Sequence, residues 1–222
     1  MKVAVVGYGK MGHEVASVLA DRGHEPVLVG RAERYPAACP VGIDFTAPEA
    51  AVANIRRALV AGSRYVVGTT GWLAEEATVR AAVAEAHGGL VYAANFSLGV
   101  NLFYRIARQA AAVLAAFPEY DPYVVERHHR QKKDAPSGTA RVLAALASDR
   151  GGVPISSVRA GGIVGEHVVG FASGDDEILL EHRARNRRGF ATGAVLAAEW
   201  IATRSGVHGF EAVLEDLLQP TR

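Results

Sequence analysis

The sequence holds one cysteine in 222 residues, so no disulfide can form within the chain. That excludes a small secreted scaffold stapled by cross-links and points to a reducing compartment, the cytoplasm. The lone thiol, Cys39, stands beside Pro40 in a loop-like stretch and shows no sign of a nucleophile. No apolar run approaches the roughly 18 residues that a membrane span requires, so no membrane association is expected. The apolar run at residues 2–6 meets glycines at once, too soon for a secretory leader. Charge of one sign is lacking too. Basic and acidic residues nearly cancel to +1, which leaves no global field to draw nucleic acid or an anionic membrane, so neither is expected as a partner. Internal repeats, low-complexity tracts and Pro/Ser-rich linkers are also missing.

What is present is a chain that is half apolar, with 24 glycines, long enough for one large domain or two small ones. Lys2–Val6 (KVAVV) reads as a buried strand. Residues 11–22 read as a helix with Val15, Val18 and Leu19 on one stripe and Gly23 as its stop. PVLVG at 26–30 completes a βαβ unit. Strands at 42–45, 64–68 and 89–93 then alternate with helices at 48–61 and 74–87, the rhythm of a doubly wound parallel sheet. After Asn95 the rhythm changes. A helix over 100–116, a strand at 120–126 and a helix at 139–148 are followed by strands of antiparallel flavour between Ser156 and His182, with a hairpin turn at SGDDE. A final helix covers 192–205. The fold class expected is α/β: a Rossmann-type domain of residues 1–97 plus 193–222, and an α+β domain of residues 98–192 with a mixed sheet.

Gly7-Tyr8-Gly9-Lys10-Met11-Gly12 is a GxGxxG between a strand and a helix. The first glycine allows the tight turn, the second lets backbone approach a diphosphate, and the third lets helix and strand pack closely. Diphosphate would sit at the helix N-terminus, where unpaired amides and the helix dipole favour an anion. The alternative is a tight turn with no ligand. The slot at the end of the second strand, where NAD-binding loops carry an acid, holds Gly30-Arg31, with Glu33 the nearest carboxylate. A guanidinium there suits a 2′-phosphate, so NADPH is expected, with NADH the alternative; a solvated arginine is the plain reading. Asp44-Phe45-Thr46, Gly68-Thr69-Thr70-Gly71 and Ala94-Asn95-Phe96-Ser97 close three further strands. Ligands of such sheets bind at these carboxyl ends, though each segment alone is also ordinary turn chemistry.

The second constellation is Glu126–Ala140, ERHHRQKKDAPSGTA. If the strand continues, His128 shares a face with Glu126 while His129 points away. Two histidines so placed are poorly arranged to chelate one ion, no further ligand cluster accompanies them, and no metal is expected. Ser137 lies outside a GxSxG elbow, which argues against a serine hydrolase. Pro-Ser-Gly-Thr opens a helix whose free amides suit a carboxylate. His129, Lys132 and Lys133 would add charge-assisted donors. His128 is placed to act as a general acid, and Lys132 could donate a proton if nearby positive charge lowers its pKa. A solvated basic loop before an ordinary N-cap is the alternative.

This stretch resembles the signature E-x-H-H-x-x-K-x-D-x-P-S-G-T-A of the dihydrodipicolinate reductases. GYGKMG, DFT, GTTG, AANFSLGVN and VRAGGIVGEHVVGF resemble other segments of that family in the same order. The resemblance implies reduction of a cyclic dicarboxylate by NAD(P)H in the diaminopimelate route to lysine. It implies His128 as proton donor and acceptor, Lys132 as second proton donor, and His129, Gly138 and Thr139 as substrate-carboxylate ligands. It places cofactor contacts at Gly7, Tyr8, Gly9, Lys10, Met11, Arg31, Gly68, Thr69, Thr70, Ala93, Ala94, Asn95 and Phe96. It further implies a homotetramer built through the mixed sheet, and it includes Arg159 and His167 in a motif of the second domain. Relative to many members, the chain has a shorter glycine loop and shorter segments before DFT and before RAGG. The rival readings are another Rossmann oxidoreductase acting on an amino acid or small dicarboxylate, and a non-catalytic NADPH sensor.

Overall fold

The computed structural model describes residues 1–7, 9–30, 33–148 and 151–219. It divides into two compact units, Met1–Ser97 with Arg187–Arg222, and Leu98–Asn186. The second boundary falls before residue 193 because the helix there begins earlier than its apolar periodicity suggests.

The first unit is built on β1 (Lys2–Val6), α1 (Lys10–Asp21), β2 (Glu25–Val29), β3 (Val41–Asp44), α2 (Pro48–Val60), β4 (Arg64–Val67), α3 (Glu76–Glu85) and β5 (Gly89–Tyr92). With β10 (Gly206–Gly209) from near the end of the chain, its strands form a six-stranded sheet in which every pairing is parallel, ordered β10-β5-β4-β3-β1-β2. Parallel strands covered on both faces read as unbroken apolar runs, and Val3, Ala4, Val5 and Val6 are all buried. On one face Ala51, Ile55 and Ala58 of α2 and Val79 and Val83 of α3 pack with Ala4, Val6, Tyr65, Val67 and Leu90. Because β1 lies between β2 and β3, the chain order reverses there, and the loops after β1 and β3 open onto one switch point.

In the second unit α4 (Leu98–Leu114), β6 (Asp121–His128), α5 (Gly138–Ala147), β7 (Ile155–Arg159), β8 (Gly165–Ala172) and β9 (Glu177–Ala184) follow. The four strands form a mixed sheet ordered β7-β6-β8-β9. β7 runs parallel to β6, a correction to the antiparallel flavour of its sequence, while β8 is antiparallel to both β6 and β9. Phe103 and Ala107 of α4 and Leu143 and Ala147 of α5 cover one face, against Val124, Val169 and Phe171. The SGDDE turn is closed by Ser173, whose amide donates to the Asp176 carbonyl at 2.9 Å and whose hydroxyl accepts from the Asp175 and Asp176 amides.

The chain then returns to the first unit through α6 (Arg188–Ile201), β10 (Gly206–Gly209) and α7 (Phe210–Leu218). The sequence reading missed the last two. GVHG is too short and too glycine-rich to signal a strand alone; pairing with β5 makes it one. Among the described residues no helix is long and apolar enough to cross a membrane.

Candidate functional site

At the carboxyl edge of the parallel sheet, the glycine loop is fitted to its neighbours at the ångström level. Gly7 has φ +103°, a left-handed value that disfavours any side chain, and a Cβ there would meet Thr46 Cγ2 at 3.0 Å. A Cβ on Gly12 would collide with the Gly7 carbonyl oxygen, whereas one on Gly9 would meet nothing within 4 Å. Among the described residues, Gly7 and Gly12 are therefore packed closely and Gly9 is open. Gly9 caps α1 with extended backbone and no side-chain hydrogen bond. Gly9 has no side chain to cap the first amides of the helix, so an anion such as a diphosphate fits there. Lys10 is exposed and Met11 half-buried. Tyr8 and Arg31 lie outside the described residues.

The other strand-end segments are knitted together by Asp44, which is fully buried at the end of β3. Its carboxylate accepts from the Thr46 amide at 2.6 Å, from Asn54 Nδ2 and Tyr65 Oη at 3.0 Å each, and from Thr69 Oγ1 at 3.4 Å. One side chain thereby fixes the DFT and GTTG loops relative to each other. Gly68 is required where it stands because a Cβ would overlap the Phe45 ring. Thr70 and Ala94 are exposed and Ala93 and Asn95 half-buried at this edge, and Asn95 Oδ1 accepts from the Ser97 amide at 2.8 Å. Phe96 differs in kind. Its ring is buried between Phe45 and Phe210, so the backbone is what it can offer a ligand. The slot at the end of β2 also holds more than the sequence conveys. The Glu33 carboxylate folds back to accept from the Gly30 amide at 2.7 Å, which puts an acid where the linear reading finds none.

The second constellation is built on β6. Alternation along the strand buries Val124, Glu126 and His128 on the helix-covered side. His128 Nδ1 hydrogen-bonds Glu126 Oε2, and Arg159 Nη2 donates to Glu126 Oε1 at 2.6 Å. The same Arg159 nitrogen donates to the Asp134 carbonyl at 2.6 Å, tying the basic loop to β7. Register brings in a group the linear reading could not place. His167 of β8 stands opposite Glu126, its ring centroid 5.1 Å from that of His128. His167 Nε2 lies 3.2 Å from Ser137 Oγ, and that oxygen accepts from the Ala140 amide at 3.2 Å as the N-cap of α5. The imidazole of His128 and the N-terminus of α5 are thus joined through one ring. At that terminus Gly138 is exposed, with no neighbour within 4 Å of a Cβ, and Thr139 is half-buried. Lys132 pairs with Asp134 at 2.7 Å, and its amide donates to the His129 carbonyl at 3.1 Å. His129 Nδ1 is buried without a protein partner.

The electrostatics follow from burial and pairing. Burial alone would raise the Glu126 carboxyl. Hydrogen bonds from Arg159, Ser157 and His128 outweigh it and hold the group at about 2. Burial lowers His128, the Glu126 carboxylate pulls it back, and Lys132 and Arg159 push it down again, leaving it below the ordinary imidazole value. His167 is pushed down to about 4, first by burial and then by His128. One ligand-type atom from each of Glu126, His128 and His167 lies within 4.8 Å of the others, a grouping around His128 that leaves out His129 and that the linear reading did not foresee. Both Glu126 oxygens are engaged, one by the Arg159 cation, so the cluster works as a hydrogen-bond network.

Residues 27–96 match the family model of dihydrodipicolinate reductase, N-terminus, and residues 99–214 match that of dihydrodipicolinate reductase, C-terminus. The chain belongs to the dihydrodipicolinate reductase family. The N-terminal match begins at β2, so the glycine loop is placed by its own geometry. Among family members, the 4-hydroxy-tetrahydrodipicolinate reductase of Christiangramia forsetii is 34% identical over 238 residues, covering 99% of this chain and 100% of that protein. The Methanosarcina barkeri protein of the same name is 38% identical over 225 residues, covering 93% of this chain and 81% of its own length. A solved structure, dipicolinate-bound dihydrodipicolinate reductase from Paenisporosarcina sp. TG-14, shares the fold with a TM-score of 0.78 at 24% identity. The likeness covers 96% of this chain and 98% of that one.

Proposed function

We propose that the chain reduces 4-hydroxy-tetrahydrodipicolinate, a cyclic dicarboxylate, in the diaminopimelate route to lysine. A nicotinamide dinucleotide, NADPH in preference to NADH, supplies the hydride when bound. The amides opening α1 receive its diphosphate, and Gly68–Thr70 and Ala93–Phe96 line its path along the sheet edge. Arg31 reads the 2′-phosphate, while Glu33 is occupied by the Gly30 amide.

The observation that carries this reading is the joining of a buried, carboxylate-paired imidazole to an open helix N-terminus. The amides of Gly138 and Thr139 receive one substrate carboxylate. His129, whose Nδ1 is buried and unpartnered, donates to the substrate as well. His128 gives a proton to the ring as negative charge develops, and Lys132 stabilises that charge as the second donor. General acids so placed contribute about 10²–10⁴-fold in rate. Because His128 lies below the ordinary imidazole value in the free chain, two arriving carboxylates favour its protonated form, and substrate binding itself loads the acid. In this reading residues 98–186 hold the substrate and residues 1–97 with 187–222 hold the dinucleotide.

The mixed sheet turns Val125, Val158, Val168 and Leu179 away from α4 and α5, and Val158 and Leu179 are exposed. We assign a second copy of the chain to this face and a homotetramer as the assembly. The single cysteine, buried as a free thiol, fits the cytoplasm. The test of the chemistry is a pair of variants. His128→Ala and Lys132→Ala should each lower kcat by about 10²-fold or more while NADPH still raises the melting temperature. Near-normal kcat in both would remove these roles.

A further inference from the structure

His128 can donate from one nitrogen only if the other is held. Its ring lies between three elements: Glu126 on its own strand, Arg159 on β7 and His167 on β8, with Lys132 in the loop beyond. The Glu126 carboxylate is 0% exposed, and its two oxygens are divided, Oε2 to His128 Nδ1 and Oε1 to Arg159. A buried carboxylate is stabilised by such a pairing and strongly disfavoured without it. Arg159 is anchored in turn by the Val158 and Asp134 carbonyls, so the guanidinium, and the carboxylate with it, has little freedom to move. Nothing in the sequence signature gives Glu126 a role of its own.

We propose that Glu126 is a positioning residue: it accepts the Nδ1 proton of His128, fixes the tautomer whose free nitrogen is Nε2, and with Arg159 as its counter-ion aims that nitrogen at the substrate. Space agrees with the assignment. His128 Nε2 lies beside Gly165, where a Cβ would come within 3.1 Å of it, so Gly165 leaves room in front of the working nitrogen. The ionised carboxylate also stabilises the imidazolium before the proton is given up. His167, held neutral and turned toward Ser137, does not compete for that proton. The proposal rests on the proton-donor role given to His128 above.

The experiment is a ring-¹⁵N NMR titration of the intact chain, with the His128 resonances assigned by their loss in His128→Ala, together with pH profiles of kcat/KM. Wild type should show neutral His128 with the proton on Nδ1. Glu126→Gln should lose that single tautomer and move the descending limb of kcat/KM at least about one pH unit toward acid, since a charge-assisted hydrogen bond is worth about 1.5–3 kcal/mol. Glu126→Asp, which keeps the charge, should recover part of the shift. An unmoved limb and an unmoved tautomer in Glu126→Gln would overturn the positioning role even if His128→Ala is impaired. Normal turnover in His128→Ala would overturn the proton-donor reading instead. Should Glu126→Gln not fold, a wild-type spectrum with the neutral proton on Nε2 overturns the proposal by itself.

Discussion

The buried histidines beside Glu126 make the second unit sensitive to acid, and His167 lets the effect be isolated. In the folded chain this ring is 4% exposed and titrates at about 4, lowered by burial and by the neighbouring His128. In the unfolded chain it titrates at about 6.5. A depressed folded value means that its contribution is fully present above pH 6.5 and is lost as pH falls toward 4, because the unfolded chain takes up the proton first. Two and a half units correspond to about 3 kcal/mol at 1.36 kcal/mol per unit. His128 is shifted in the same direction, so the loss in the wild-type chain is larger still. Urea denaturation followed by circular dichroism at pH 7, 5.5 and 4 measures the loss. His167→Gln removes the titrating group while leaving an amide within reach of Ser137. The variant should be less stable than wild type at pH 7 but lose about 3 kcal/mol less between pH 7 and 4. Equal losses in the two proteins would show that His167 is not held neutral in the folded state, and the electrostatic account of the cluster would fail with it.

Two further outcomes are expected. Gly12→Ala drives a methyl into the Gly7 carbonyl. It should cost about 1–3 kcal/mol of stability by overpacking and weaken NADPH in a binding titration, whereas Gly9→Ala, which meets nothing, should leave stability near wild type. Arg31→Ala should weaken NADPH by at least about tenfold, near 1.4 kcal/mol for one lost charge-assisted contact, with NADH changed less. Equal loss for both nucleotides would remove Arg31 from the 2′-phosphate.

The parallel sheet was legible because its strands are short, β-branched and buried on both faces, as KVAVV shows, and because the glycines of the first loop follow at once. The placement of Glu126 with His128 was legible too, from the two-residue period of a strand. Its meaning was not, because the groups that give it meaning arrive from far along the chain. Arg159 comes through the parallel pairing of β6 with β7, and His167 through the register of β8. No local pattern encodes either pairing. Glu33 was seen but not placed, since no local pattern encodes the backward reach of its carboxylate to the Gly30 amide. The resemblance implies a cofactor contact at Phe96; the burial of its ring against Phe45 and Phe210 requires knowledge of α7, which no pattern in the sequence signals.

The most direct measurement is NADPH oxidation, followed at its near-ultraviolet absorbance, with the substrate formed in situ from pyruvate and aspartate semialdehyde. Oxidation that depends on that substrate and is abolished when either precursor is withheld is the expected result. A chain whose melting temperature rises with NADPH, yet which oxidises none of it in the complete mixture, would contradict the account.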